Sequence, residues 1–164
     1  MIRSHLARQK AVDILRISNI NTAPISLDLV CEKLGFKIIP YEFPDSMSAL
    51  FIIEGNIKAI GVNKNHPRVR QRFSLAHELG HFVSGHEDFN HEEVAHIDRE
   101  KKYLNRFHRM EEEADEFAAE LLMPEFILKN DYHTSSGEIE DLAKKYEVSQ
   151  QAMTIQLINL KLLG

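Results

Sequence analysis

The sequence predicts an α+β fold that is mostly helical and contains a small antiparallel sheet of about three strands. Apolar residues recur at helical spacing over long stretches on both sides of residues 37–63. Short β-rich runs separated by turn residues fill that middle segment. The chain has 164 residues, of which 43% are hydrophobic. This size and composition predict one domain over residues 1–164.

Two helices are predicted before the sheet. Apolar residues at near-helical spacing over residues 3–19 predict an amphipathic first helix. Ser26 is a suitable N-cap for a second helix that ends at Leu34, where Gly35 can adopt the left-handed conformation. The only cysteine, Cys31, lies in this second helix among apolar residues. Its apolar neighbours predict that it packs in the core. Because no second cysteine is available for an internal disulfide, a reducing compartment is favoured.

Three strands are predicted next. Residues 37–41 form the first, and residues 49–54 pair with residues 57–63 across the two-residue turn Gly55-Asn56. An exposed edge strand in such a sheet can bind an extended peptide by accepting it as one more strand.

Residues 70–85 predict a helix that is apolar around much of its circumference, with Pro67 in the first turn and Asn65 or His66 as its cap. This helix carries His77, Glu78 and His81. Histidines four residues apart share one face, so both can bind a single Zn²⁺, with Glu78 beside them as the general base. The arrangement is zincin-like and predicts hydrolysis. The alternative is a pair of hydrogen-bonded core histidines.

A third zinc ligand must come from outside that helix. Residues 110–123 predict a helix with an apolar stripe centred near Ala114, which ends at Pro124. The candidate ligands are the downstream histidines and four acids, namely Glu111, Glu112, Glu113 and Asp115. Glu111 lies roughly 60° from the stripe centre and Glu113 roughly 100°, which favours Glu111. Asp115, one turn further on, is placed to accept a hydrogen bond from a ligating histidine.

The remaining acids of this helix are predicted to lie on a face exposed to solvent: Glu112, Glu113, Glu116 and Glu120.

Three segments together resemble the ImmA/IrrE family of metallopeptidases. They are Asn63, the run RFSLAHELGH at residues 72–81, and the run EEEADEFAAELLMP at residues 111–124. The resemblance implies a gluzincin-like zinc endopeptidase that cleaves helix-turn-helix repressors. His77, His81 and Glu111 match the family's zinc ligands, and Glu78 matches its general base. His86 follows His81 by five residues, where family members often have a histidine after four, so His86 is assigned no role.

Residues 87–109 are dense in charge with weak periodicity, and they predict mostly a surface excursion that can include one irregular helix. His86, His91, His96 and His108 lack regular ligand spacing, so surface histidines are favoured over a second metal site. A second electrophilic donor for the reaction could come from His108, Tyr103 or His86, and the sequence does not select one.

Residues 135–164 predict a C-terminal helix pair that resembles a helix-turn-helix, with a capping box starting at Ser135 and a last helix ending near residue 162. A DNA-binding regulator would present Gln150, Gln151, Thr154 and Gln156 to the groove. The last helix has no arginine and only Lys161 near its end, so packing or substrate docking is preferred.

Composition restricts the function further. The net charge of −5 and a pI near 6.0 disfavour a general nucleic-acid or membrane-surface binder. The first residues lack an apolar signal core, which predicts a cytoplasmic protein. The expected partner is a protein substrate, a helix-turn-helix repressor or an antitoxin. The alternative that keeps the fold is a non-catalytic, zinc-stabilised module that binds such a protein.

Overall fold

The computed structural model describes residues 2–86, 101–135 and 137–163, except for the side chains of residues 2–4 and 101–104. This part of the chain contains seven helices and one three-stranded sheet, which confirms the α+β fold. One hydrophobic core draws residues from both ends of the chain, for example Leu15, Leu79, Phe117 and Tyr146. No helix among the described residues combines the length and hydropathy that crossing a bilayer requires.

The first two helices agree with the sequence prediction. Helix α1 spans Ile2–Ile17 and helix α2 spans Leu27–Leu34. The Ser26 hydroxyl accepts the Leu29 backbone N–H at the start of α2, and Gly35 ends the helix with φ of 78°. Cys31 is buried in the core as a free thiol, and burial raises its pKa to about 12.

The sheet is mixed rather than antiparallel. Its strands are β1 (Lys37–Tyr41), β2 (Ala49–Glu54) and β3 (Ile57–Asn63), in the order β1-β3-β2. The hairpin of β2 and β3 is antiparallel as predicted, but β1 pairs with β3 in parallel.

The loop after β1 explains this pairing. The buried Asn63 side chain, at the end of β3, donates to the backbone carbonyls of Phe43, Pro44 and Met47, at 3.2, 3.3 and 2.9 Å. These bonds hold the loop across the end of β3, so that β1 and β2 lie on opposite sides of the central strand.

Helix α3 (Arg68–Val83) and helix α4 (Lys101–Leu122) pack against each other. Pro67 occupies the N-cap position of α3 without a side-chain hydrogen bond, so the predicted cap at Asn65 or His66 is wrong. The His66 ring instead lies 3.1 Å from the Asp45 carbonyl.

Helix α4 begins about two and a half turns before the predicted start at residue 110. Residues 101–109 therefore form the start of a regular helix, where the sequence predicted mostly a surface excursion with one irregular helix. Residues 87–100 of that predicted excursion, with His91 and His96, lie outside the described residues.

Three further helices follow: α5 (Glu125–Thr134), α6 (Ile139–Tyr146) and α7 (Gln150–Asn159). Helix α5 has no counterpart among the predicted elements. Helix α6 begins after Glu138 without a side-chain cap, so the predicted capping box does not form. Ser149 caps α7 by accepting the Ala152 backbone N–H.

Candidate metal centre

Helices α3 and α4 bring His77, His81 and Glu111 together. The Nε2 atoms of the two histidines are 2.9 Å apart. Glu111 Oε2 lies 3.3 Å from His77 Nε2, and Glu111 Oε1 lies 3.2 Å from His81 Nε2. Zinc bonds of about 2.0–2.1 Å at tetrahedral angles separate neighbouring ligand atoms by about 3.3 Å. The two histidine–carboxylate distances match this value and the two Nε2 atoms lie about 0.4 Å closer, so the triangle is close to the size that one metal ion requires.

A second observation fits a metal at this place. Glu111 Oε1 is buried and makes no hydrogen bond within the described part of the chain. Its contact with His81 Nε2, at 3.2 Å, lacks the geometry of a hydrogen bond. A buried carboxylate oxygen without a hydrogen bond is costly, by about 1–3 kcal/mol, and a bound cation would remove that cost. The donor set of two imidazoles and one carboxylate is one that zinc uses in catalytic sites.

The charges of the group also suit a cation. Burial raises the pKa of Glu111, but its contacts with the rings of His77 and His81 outweigh burial and hold the pKa below its usual range. Burial lowers the pKa of His77, but the carboxylates of Asp115 and Glu111 outweigh it and raise that pKa to about 9. Glu111 is therefore a carboxylate at neutral pH. In the protein without metal, a proton on His77 competes for the same site.

Glu78 lies next to His77 in α3 and is 7% exposed. Burial raises the pKa of its carboxyl group, and the nearby rings of His77 and His81 oppose that effect. A carboxylate with a raised pKa is a better proton acceptor, which is the property that a general base needs.

Asp115 lies where the helical phase predicted it. Its Oδ1 is 2.8 Å from His77 Nδ1, the ring nitrogen that faces away from Glu111. A carboxylate at this nitrogen keeps a proton on Nδ1 and leaves the Nε2 lone pair for a metal.

His86 and Glu113 form a second contact chain that the sequence did not predict. His86 Nδ1 lies 3.1 Å from His81 Nδ1, and His86 Nε2 lies 3.3 Å from Glu113 Oε2. Glu113 was expected on a solvated face, but its side chain is only 17% exposed. His86 is also buried. The sequence signal for this contact is Gly85, a residue that can reverse the chain just after α3.

The other acids of α4 behave differently from one another. Glu112 is exposed as predicted, whereas Glu120 is 3% exposed and the prediction of a solvated side chain is wrong. Glu120 accepts the Glu125 backbone N–H and the side-chain amide of Gln156. His108 is exposed on α4, and the side chain of Tyr103 lies outside the described residues.

The C-terminal pair does not present all the expected side chains. Gln150 and Gln151 are exposed on α7, but Gln156 is 2% exposed and donates to the Met123 carbonyl at 3.1 Å. Gln156 is therefore a packing residue and not a groove-facing one.

Comparisons with known proteins identify the family and the fold. The family profile Peptidase_M78, described as the IrrE N-terminal-like domain, matches residues 31–157. Among solved structures, a Mycobacterium tuberculosis transcriptional regulator matches with a TM-score of 0.68 and 18% identity, over 93% of this chain and 46% of that one. This likeness shows the fold, and the chain spans about half of that protein. No curated protein matches. The chain therefore belongs to the Peptidase_M78 family, with an IrrE N-terminal-like domain that contains a candidate His77-His81-Glu111 metal site.

Proposed function

We propose that the protein is a zinc-dependent endopeptidase that cleaves a helix-turn-helix repressor or an antitoxin. The observation that carries the proposal is that the ligand atoms of His77, His81 and Glu111 lie close enough together to bind one metal ion, with the buried Glu78 beside them. Membership of a peptidase family supports the reaction class. The similar solved structure is that of a transcriptional regulator, which is consistent with a role in gene regulation.

The residues have separate roles in the proposed reaction. Zinc bound by His77, His81 and Glu111 supplies Lewis-acid activation of water and of the scissile carbonyl. Glu78 accepts a proton from the attacking water and passes it to the leaving amine. Asp115 holds the His77 ring with Nε2 toward the group, through the 2.8 Å contact at Nδ1.

The sheet offers a place for the substrate. Strand β2 lies at one edge of the sheet, and α3 packs against it. Leu50 and Ile52 of β2 are 38% and 45% exposed. A peptide added to this edge in an extended conformation would be held by backbone hydrogen bonds and by apolar contacts with these side chains.

The test uses a helix-turn-helix repressor or an antitoxin encoded beside the gene, incubated with the zinc-loaded protein. We expect metal-dependent cleavage by the wild type and a loss of roughly 10²–10⁴-fold in rate for Glu78→Gln, because the general base is removed. Glu112→Gln is the matched control, since it removes an exposed carboxylate of α4 and should cleave like the wild type.

Three outcomes would contradict the proposal. Equal cleavage by Glu78→Gln and the wild type would show that Glu78 is not the general base. Cleavage that survives a chelator would show that the reaction does not need the metal. Zinc-dependent binding of the partner without cleavage would favour the non-catalytic module.

DNA binding through α6 and α7 is the weaker candidate. Helix α7 contains no lysine or arginine, although phosphate contacts need such residues. A gel shift with salt-sensitive, tight binding would reverse this preference.

A further inference from the structure

The chain reverses sharply after α3 and returns His86 to His81. Gly85 has φ of 73°, in the left-handed region. The Gly85 N–H donates to the Phe82 carbonyl at 3.0 Å, and the His86 N–H donates to the His81 carbonyl at 2.9 Å. These two bonds define a Schellman motif, in which the residue after the left-handed one contacts the helix residue five positions before it. The spacing of five residues between His81 and His86 is therefore the spacing that this turn needs.

The contact made at this position is polar. A Schellman motif usually brings two apolar side chains together here. In this protein it brings two imidazole rings together, with 3.1 Å between their Nδ1 atoms. Both rings are buried, at 2% exposure for His81 and 8% for His86. Two buried ring nitrogens at this distance must be one donor and one acceptor.

Glu113 decides which ring donates. Its Oε2 lies 3.3 Å from His86 Nε2, and a carboxylate can only accept. A proton on His86 Nε2 leaves Nδ1 of the neutral ring as an acceptor. His81 must then carry its own proton on Nδ1, and its Nε2 lone pair points toward His77 and Glu111.

We propose that His86 and Glu113 are positioning residues that fix His81 in its metal-binding tautomer through the chain Glu113–His86–His81. The inference rests on the metal site of the proposed function and not on peptidase activity. His77 receives the same support directly from Asp115, so α4 supplies the carboxylate that supports each ligating histidine.

The two supports differ in their surroundings. The Asp115 side chain is 58% exposed, whereas the Glu113 side chain is 17% exposed. Water can replace a lost carboxylate at His77 more easily than it can replace the buried His86 ring at His81. We therefore expect the loss of His86 to weaken zinc binding more than the loss of Asp115.

Zinc affinity is the first test, measured by competition with a chromophoric chelator. His86→Phe keeps an aromatic ring in the turn but removes both nitrogens, and we expect roughly 10–100-fold weaker zinc binding. Glu113→Gln should weaken binding less, and it should add little in the His86→Phe background because both residues act through one chain. Glu112→Gln is the control for charge on α4 and should bind like the wild type.

Thermal unfolding of the metal-free variants separates positioning from simple destabilisation. The proposal requires that zinc affinity falls also in the milder Glu113→Gln variant, at temperatures where the metal-free protein is folded. Wild-type zinc affinity in a folded His86→Phe variant would overturn the proposal.

The second test needs no mutation. In ¹⁵N spectra of the histidine side chains at about pH 8, we expect His86 protonated at Nε2 and His81 protonated at Nδ1. A proton on His86 Nδ1 would overturn the inference. Failure of the wild type to bind zinc would instead refute the proposed function, so the two failures are distinguishable.

Discussion

The substitution Gly80→Ala tests how closely α3 and α4 must approach at the site. Gly80 lies between the two histidines of α3, and it faces Ala114 of α4. A Cβ atom at position 80 would lie 2.9 Å from the Ala114 carbonyl oxygen, 3.0 Å from Ala114 Cα and 3.1 Å from Phe117 Cδ1. Two of these atoms belong to the backbone, so a change of rotamer cannot relieve the contact. The helices must move apart.

The size of that movement follows from ordinary contact distances. Non-bonded carbon atoms prefer about 3.5–4.0 Å, so the helices must separate by roughly 0.5 Å or more. A metal site tolerates about 0.2 Å in its ligand distances. Because His77 and His81 lie on one helix and Glu111 on the other, we expect zinc affinity to fall at least about tenfold, which corresponds to about 1.4 kcal/mol.

The stability of the metal-free Gly80→Ala variant tests the same reasoning without zinc. Overpacking costs about 1–3 kcal/mol, and replacing glycine by alanine inside a helix returns about 1 kcal/mol. We therefore expect a net loss of up to about 2 kcal/mol in the free energy of unfolding, measured by urea denaturation beside a zinc titration. An alanine variant that is more stable than the wild type and binds zinc equally well would refute the reasoning, because only helix propensity would then be at work.

Two other predictions concern the ligands. Glu111→Ala should lose most zinc affinity in the chelator competition, whereas Glu112→Ala should keep it. Glu113 is not a suitable neutral control, since it contacts His86. Equal losses at positions 111 and 112 would show that the ligand is misassigned. In the metal-free protein, the pKa of His77 is raised from 6.5 to about 9, so its stabilising contribution is full below about pH 6.5 and is lost as the pH rises through about 9. The melting temperature should therefore fall over that range, and His77→Gln should flatten this dependence; an unchanged slope in that variant would assign the effect to another group.

The residues found from sequence all lie in regular helices. Helical phase places His77 and His81 on one face of α3, and it separates Glu111 and Asp115 from Glu112 on α4, because a helix repeats rigidly from residue to residue. The structure brings the first two and Glu111 into one group, with Asp115 behind His77.

The two site residues that the sequence did not predict, His86 and Glu113, take their places through contacts between different helices and turns. His86 reaches His81 only because the chain reverses at Gly85, and Glu113 is partly buried because α4 packs beside that turn. The parallel pairing of β1 depends likewise on the loop that Asn63 holds. Local periodicity carries no information about such contacts, since they are set by which segments meet in space.

The close packing of Ala114 against Gly80 fixes which sides of α4 face α3, and this limits how far α4 can rotate about its own axis. At about 100° per residue, Glu111 and Glu113 point roughly 160° apart around the helix. Glu111 reaches the Nε2 atoms of His77 and His81, and Glu113 reaches His86 after the end of α3. Any rotation of α4 about its axis that shortens one contact lengthens the other. The two contacts therefore restrain the rotation of α4 in opposite directions. The positions of His77, His81 and Glu111 are thus fixed by the protein as well as by a metal.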